Sequence, residues 1–442
     1  MTEDAFAITG GNQLKGKVTL SGAKNVALKA IIAALMFDSK VVLENVPKIS
    51  DVLELLHLIR KLGVKAEFTA KNTLEIDSSD LNENRVDLLH ASKTRVSFML
   101  FAPLLHRFKK CFIPNPGGCR IGARPIDRIT NGLEKLGALI VYNHDTGYYE
   151  AYLNNSVHGS YSFEKPSHTG TELLVMFSLF SNGEILLENA ALEPEIDELI
   201  SFLNEGGAEI KRYGKNIRIR GVDKLHQTKP FQIISDSNEA VTFAVLAIAS
   251  KGEVTIENPP MDHITEFINK VKETGNGADL LKDNTLRFSY KGKIRPVSVE
   301  TAPHPGFKTD WQPNWAVLMT QAKGISYIHE KVFENRFSYV MELQKLGANV
   351  AFETVKVDNP EEFYEFHYEK NKGYQQKIKI TGGYPLHGGV LNIWDLRAGA
   401  SLVIAALIAK GGSVVNGASI FERGYEDFID KVQNLGGKIR KI

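Results

Sequence analysis

Leu62-Gly63-Val64-Lys65-Ala66-Glu67-Phe68 is the first of six copies of one short phrase, and that repetition decides the fold. The others are Leu136-Gly137-Ala138-Leu139-Ile140, Gly206-Gly207-Ala208-Glu209-Ile210, Asn276-Gly277-Ala278-Asp279-Leu280, Leu346-Gly347-Ala348-Asn349-Val350 and Leu435-Gly436-Gly437-Lys438-Ile439. Each copy closes an amphipathic helical pattern and opens an alternating strand, with glycine where a helix ends in a left-handed residue. The copies recur about every 70 residues, a period that marks supersecondary units sharing a core. The last interval is longer. Its extra length lies in the polar, Lys- and Gly-rich stretch Asp358 to Gly388, which reads as a hairpin insertion.

A second phrase precedes most copies: a small-residue apolar helix, a Lys-Gly or Asn-Gly turn, a strand, then Glu-Asn. Ala30 to Ser39 leads into Val41-Val42-Leu43-Glu44-Asn45, and Leu173 to Asn182 into Gly183-Glu184-Ile185-Leu186-Leu187-Glu188-Asn189. Ala240 to Lys251 leads into Gly252-Glu253-Val254-Thr255-Ile256-Glu257-Asn258, and Leu402 to Lys410 into Gly411-Gly412-Ser413-Val414-Val415-Asn416. A helix apolar on most faces is buried, whereas a one-sided helix such as Glu195 to Asn204 faces solvent. The chain of 442 residues is too long for one core. Six units therefore group as two α/β domains of three, with helices inside and sheets outside, and a break falls near Ser235-Asp236.

Composition excludes several classes. A net charge of +1 gives no field for nucleic acid or a membrane surface. The two cysteines, Cys111 and Cys119, form no disulfide framework and point to a reducing compartment. Met1-Thr2-Glu3-Asp4 lacks the basic start of a signal peptide, and the apolar run Val26 to Phe37 is interrupted by Lys29 and too short to span a bilayer. A soluble cytoplasmic protein is expected. No metal-ligand spacing, dinucleotide-binding glycine motif or serine nucleophile elbow occurs, so neither metal nor cofactor is expected.

The chemistry concentrates in a few places. Pro114-Asn115-Pro116-Gly117-Gly118-Cys119-Arg120-Ile121-Gly122-Ala123-Arg124-Pro125 has too much proline and glycine for a helix or central strand and reads as an ordered loop. Its thiol is followed at one and five residues by arginines, which favour thiolate and would also hold a phosphate. Ser21-Gly22-Ala23-Lys24-Asn25 sets a Gly turn and a Lys at the start of a buried helix, an anion site by N–H groups and dipole, although taken alone it reads more readily as a helix cap with a solvated Lys. Arg95, Arg124, Arg397 (after Asp395) and Arg423 recur near unit starts, where pointed helix N-termini would gather them. Asp310, in Thr309-Asp310-Trp311-Gln312, serves either as an N-cap or as a general base. Glu334, Asn335 and Arg336 form a further polar knot.

Taken together these motifs resemble the enolpyruvyl transferases that act on UDP-N-acetylglucosamine. The resemblance runs nearly end to end, through Ser21 to Asn25, Pro116 to Asp127, Glu193-Pro194-Glu195-Ile196, Thr301-Ala302-Pro303-His304-Pro305, Thr309-Asp310, Val332 to Phe337, Asp395-Leu396-Arg397-Ala398 and Arg423-Gly424-Tyr425-Glu426. It implies two inside-out α/β barrels of three repeats each. Residues 25–235 would form the first and 1–24 with 236–442 the second, with the active site in the cleft between. It implies transfer of enolpyruvate from phosphoenolpyruvate to the sugar 3-hydroxyl by addition and elimination of phosphate, the step that opens peptidoglycan precursor synthesis.

The roles it implies are these. Cys119 is the loop acid, and Asp310 takes the hydroxyl proton. Lys24, Arg124 and Arg423 hold the phosphate and carboxylate of phosphoenolpyruvate, with Arg397 adjacent and Asn25 orienting the substrate. Arg95 helps hold the nucleotide sugar. Arg124, Pro125, Ile126, Asp127, Arg128, Lys165, Ser167 and Val332 line the uridine diphosphate pocket. A monomer with these two small-molecule substrates, inactivated by an epoxide phosphonate such as fosfomycin, is the expectation.

The chain departs from the family pattern at several positions. Lys29 replaces proline, Arg128 an apolar residue, and Leu192 an arginine. Lys165-Pro166-Ser167-His168-Thr169 replaces Lys-Val-Ser-Val-Gly, and Ser235-Asp236-Ser237-Asn238-Glu239 replaces Pro-Asp-Arg-Ile-Glu. These touch the acceptor pocket and the domain crossing. They motivate two alternatives: the same chemistry on another uridine nucleotide or sugar, or an idle relative that only binds nucleotide sugar. The sister enzyme 5-enolpyruvylshikimate-3-phosphate synthase is disfavoured by the cysteine loop.

Overall fold

The repeated-phrase glycines do end helices. The computed structural model describes residues 4–117 and 126–442, the side chains of Asp127 and Arg128 excepted. Gly63, Gly137, Gly207, Gly347 and Gly436 all have φ between 86° and 106°. At the first of them Gly63 N donates to Arg60 O and Val64 N to Ile59 O, closing the Ser50–Lys61 helix with the paired bonds of a Schellman cap. The fourth copy needs a correction. Its left-handed residue is Gly275 (φ 84°), not Gly277, which starts the strand Gly277–Leu280. Two glycines two residues apart both suit the role, and the Met261–Glu273 helix stops at the first.

The described residues fall into two units, one of residues 4–21 and 235–442, the other of 22–117 and 126–234. The chain passes between them after Ser21 and after Ile234, against the expected boundaries after Lys24 and Ser235. Lys24 and Asn25 thus begin a helix of the second unit.

Among the described residues each unit holds three sheets, and all six follow one plan. In the first unit, Glu253–Glu257 pairs antiparallel with Thr285–Ser289, which pairs antiparallel with Gly277–Leu280. The far edge is closed by a parallel strand from elsewhere, Lys15–Thr19. The same order of one parallel and two antiparallel pairings recurs in the sheet of Val299–Glu300, Gly324–His329, Lys377–Gly382 and Asn349–Phe352. It recurs again where Ala5–Thr9 is the middle strand between Gly412–Asn416 and Lys438–Lys441. In the second unit Phe231–Gln232 closes the sheet of Val41–Glu44, and Ser160–Ser162 closes that of Glu184–Glu188. In the sheet of Lys110–Pro114 the closing strand has shrunk to one parallel bridge, Arg85 to Phe112.

Inside these sheets lie the apolar helices. Ser237–Ala249 and Gln312–Thr320 are buried at every residue, and Leu396–Ile408 at all but the last. The three pack on one another in the first unit. In the second unit Lys24–Ala34, Phe101–Phe108 and His168–Phe177 form the corresponding core. Helices with no polar face are stable only when surrounded, so the sheets must lie outside them. This is the inside-out α/β arrangement, three repeats to a unit. Pro194–Glu205 keeps one apolar side inward, as expected of the second helix type.

The stretch Asp358 to Gly388 is not a hairpin insertion. It holds a one-turn helix, Pro360–Phe363, and a set of contacting rings, Tyr364, Phe366, Tyr368 and Tyr374. Its strand, Lys377–Gly382, is a regular sheet member held on both edges by other segments.

The packing of backbone on backbone gives a test. A Cβ at Gly252 would lie 1.9 Å from Leu14 O, between the closing strand and the buried helix, whereas one at Gly412 meets nothing within 4 Å. Gly252→Ala is expected to lower stability by about 3 kcal/mol, and Gly412→Ala to leave it within about 0.5 kcal/mol. Thermal unfolding of the two variants checks this.

Candidate active site

In the first unit the polar knot gathers around Asp310. The residue sits in the short turn Thr309–Trp311 that leads into the buried Gln312–Thr320 helix, and it caps nothing. Instead Arg336 Nη2 donates to its Oδ1 at 2.7 Å and Arg397 Nε to its Oδ2 at 3.3 Å. Burial works against the carboxylate charge. The two guanidinium groups outweigh it and hold the Asp310 carboxyl well below the usual range. The same pairing raises both arginines, so all three groups are charged.

Arg336 is itself fixed. Its Nη1 donates to Thr309 Oγ1 at 2.8 Å, and Thr309 Oγ1 donates to Glu330 Oε2 at 2.7 Å. Glu330 has no exposed surface. It accepts from Thr301 Oγ1 and from the backbone N–H groups of Val332 and Phe333. Burial raises its carboxyl, with Arg336 and these donors opposing. Gln312 Nε2 donates to Arg336 O, and Tyr339 OH donates to Gln312 Oε1. Asp395 caps the Leu396–Ile408 helix through Arg397 N and Ala398 N and accepts from Ser338 Oγ. Arg397 is thereby set in the first turn of a helix whose cap is an aspartate. Val332 and Arg423 belong to this unit as well, both half-buried.

In the second unit Lys24 opens the Lys24–Ala34 helix, and its Nζ lies 2.6 Å from Asp51 Oδ2, both side chains 9% exposed. Lys24 is therefore no solvated lysine beside a cap. Asp51 comes from the first turn of the next helix, Ser50–Lys61. Asn25 is half-buried beside it. Arg95 starts the 3₁₀ turn Arg95–Leu100 with its guanidinium over the Phe98 ring. Lys165 is half-buried, and Ser167 caps the His168–Phe177 helix by accepting from Gly170 N at 3.2 Å. Ile126 is buried at the start of the Asp127–Lys135 helix. Cys119, Arg120, Arg124 and Pro125 lie outside the described residues, as do the side chains of Asp127 and Arg128.

So the structure brings Asp310 and Arg397 together within one unit, and adds Arg336, Glu330 and Asp395 to them. It gives Lys24 a partner, Asp51. Glu330 and Asp51 were not singled out from sequence. Their side-chain partners are 20 or more residues away and no local pattern marks them. Arg336 was seen only as part of a polar run. The second cysteine, Cys111, has no exposed surface, and burial pushes its thiol up, which makes it inert.

Comparison with known proteins gives a consistent set. The family model for EPSP synthase (3-phosphoshikimate 1-carboxyvinyltransferase) matches residues 8–432. UDP-N-acetylglucosamine 1-carboxyvinyltransferase of Acidobacterium capsulatum is 36% identical over 99% of this chain and 96% of its own length. The protein of the same name from Finegoldia magna is 38% identical over 97% and 96%. Among solved structures, the enolpyruvyl transferase NikO from Streptomyces tendae superposes with a TM-score of 0.86 at 22% identity, covering 100% of this chain and 99% of that one. EPSP synthase from Acinetobacter baumannii gives 0.75 at 18%, covering 99% and 100%. At such identities the structural likeness concerns the fold.

Removing Arg336 takes away one of the two guanidinium partners of Asp310 and the positive charge nearest the buried Glu330. Arg336→Met is expected to lower stability at pH 7 by about 3–5 kcal/mol. Asp310 is depressed, so its share is present above its unfolded pKa and is lost as pH falls below about 4. The gap in melting temperature between the variant and the parent should therefore narrow from pH 5 to pH 3, followed by circular dichroism.

Proposed function

The chain belongs to the enolpyruvyl transferase family that includes UDP-N-acetylglucosamine 1-carboxyvinyltransferase, and on that premise we propose how it works. It transfers the enolpyruvyl group of phosphoenolpyruvate to the 3-hydroxyl of UDP-N-acetylglucosamine and releases phosphate, the first committed step of peptidoglycan precursor synthesis. The observation that carries this reading is the Asp310–Arg336–Arg397 cluster on its buried Glu330 support, in a chain matched end to end by such transferases.

The reaction needs an acid, a base and anion binding. In the addition, the sugar hydroxyl oxygen bonds to C2 of phosphoenolpyruvate, C3 gains a proton, and the hydroxyl proton leaves. In the elimination, C3 loses a proton, the C2–O bond to phosphate breaks, and the enol ether remains. Asp310 takes the hydroxyl proton. Between two arginines its carboxylate is a weak base, but an anionic donor beside Arg397 offsets that field and raises the carboxyl towards a working value. Cys119 delivers the proton to C3. Lys24, Arg124 and Arg423 hold the phosphate and carboxylate, and Asn25 orients the donor. Arg95, Pro125, Ile126, Asp127, Arg128, Lys165, Ser167 and Val332 hold the nucleotide sugar. The fixed positive groups offset charge that builds on the transferring group. These residues act on one substrate pair, in a cytoplasmic enzyme that works as a monomer.

Phosphate release from phosphoenolpyruvate is expected only when UDP-N-acetylglucosamine is added. Release with another uridine sugar alone overturns the acceptor. Asp310→Asn is expected to cut turnover by about 10²–10⁴-fold. Intact mass after incubation with fosfomycin should show a single adduct, on Cys119, because Cys111 is sealed. An unmodified protein sinks the thiol's role.

A further inference from the structure

Two of the positions at which this chain departs from its family meet on one buried carboxylate. Lys29 Nζ lies 3.2 Å from Glu172 Oε2, and His168 Nε2 lies 3.2 Å from Glu172 Oε1. Glu172 has no exposed surface and Lys29 is 7% exposed, while the His168 side chain keeps about a quarter of its surface. A carboxylate this deep stays charged only with opposite charge on it. Here the charge comes from two cations on two helices, Lys24–Ala34 and His168–Phe177.

His168 is the first residue of its helix, directly after the cap Ser167, and it reaches one turn down to Glu172. A cation in a first turn is opposed by the helix dipole. It is held there by Glu172 at 3.2 Å and by the field of Glu193, the residue before the Pro194–Glu205 helix. One oxygen of Glu193 is buried without a hydrogen-bond partner among the described residues, and so are His168 Nε2 and both Glu172 oxygens, so the triad is held by charge at 3.2 Å and not by hydrogen bonds.

We propose that the Lys29–Glu172–His168 triad is a positioning element that sets acceptor affinity, by fixing the turn Lys165-Pro166-Ser167 on the end of its helix. The proposal rests on the reading of Lys165 and Ser167 as acceptor-binding residues. His168 is a positioning residue here, not a catalytic one.

The triad makes that affinity depend on pH. Burial lowers the His168 pKa, but the Glu172 carboxylate, helped by Glu193 and opposed by Lys29, raises it above the ordinary histidine value on balance. The packed elements carry other charged groups. Glu195 is buried on the Pro194–Glu205 helix. His106 binds Phe177 O at the far end of the helix, with Arg107 beside it. Glu134 and Lys135 are exposed on the Asp127–Lys135 helix, whose Asp127 and Arg128 side chains are outside the described residues. A raised histidine gives a contact that is complete at low pH and lost as pH rises through the raised value.

The test is the KM for UDP-N-acetylglucosamine from pH 6 to 9, by phosphate release, in the parent, His168→Gln and His168→Lys. The parent KM should rise across the range on the order of tenfold, with kcat changed less than about twofold. His168→Gln should be flat at the high value, and His168→Lys flat at the low one, because lysine stays charged throughout. A flat parent profile, or an unchanged profile in His168→Gln, overturns the triad's role while turnover persists. Calorimetric binding of UDP-N-acetylglucosamine without phosphoenolpyruvate separates the two claims. Affinity that weakens with pH in a protein that releases no phosphate overturns the transferase reading and keeps the triad.

Discussion

A helix buried on every face must still satisfy the N–H groups of its first turn, and the structure is built around that requirement. Asp236 accepts from Asn238 N and Glu239 N, Asp395 from Arg397 N and Ala398 N, and Ser167 from Gly170 N. In these three helices side chains do what water cannot do inside a core, whereas the Lys24–Ala34, Phe101–Phe108 and Gln312–Thr320 helices have no side-chain cap. Polar and charged residues therefore collect at the same end of helices that are otherwise Ala, Val, Ile and Leu. Lys24, His168, Glu239 and Arg397 all lie within the first three residues of a buried helix. The groups available for chemistry are the ones that folding already forces into place.

The same logic holds where the chain leaves each unit. Asp236 N donates to Ser21 O in one unit, and Ala23 N donates to Ile234 O in the other. Gly22 lies between, and a Cβ there would be 1.7 Å from Asn45 O, so no other residue fits that approach. On the first-unit side Glu239 Oε2 accepts from Ser21 N. Lys431 Nζ, 2.6 Å away, binds both Ser21 Oγ and Glu239 Oε1. Glu239 is buried, and burial raises its carboxyl against the pull of Lys431. The departure from the family at Ser237-Asn238 leaves this clamp intact, because its members are Asp236 and Glu239.

Much of this was legible in the sequence, for a physical reason. Repetition exposes whatever is local: the left-handed glycine, the Glu-Asn turn with Asn45, Asn189 and Asn258 at positive φ, the all-apolar helix. The apolar helix patterns start three to six residues after the helices themselves because the first turns are polar, as Ser237-Asn238-Glu239 shows. What stayed hidden is non-local. The Lys15–Thr19 strand closes a sheet whose other members begin at Glu253, and nothing near residue 15 reports that. Asp51 gives no sign of its pairing with Lys24, nor Glu172 of its pairing with Lys29, since each pair joins two helices. The long stretch before Lys377 looked like an insertion because its rings pack on one another rather than on a period.

On the proposed transferase reading, the charges already paired within each unit bear on how a donor binds. Lys24 is paired with Asp51, and Arg336 and Arg397 both lean on Asp310. In each case the partner is a carboxylate held by the fold. A phosphate entering beside these cations therefore exchanges one anion for another and does not fill an empty clamp. Such an exchange gains little net Coulomb energy, because the old pair is lost as the new one forms. It gains in two other ways. Phosphate carries more charge than the carboxylate it displaces or joins, and the cation is already desolvated and aimed. The same exchange releases Asp310 from part of the field that suppresses its basicity. On that reading, holding the donor and readying the base are one event, set by the two arginines that meet on the Asp310 carboxylate.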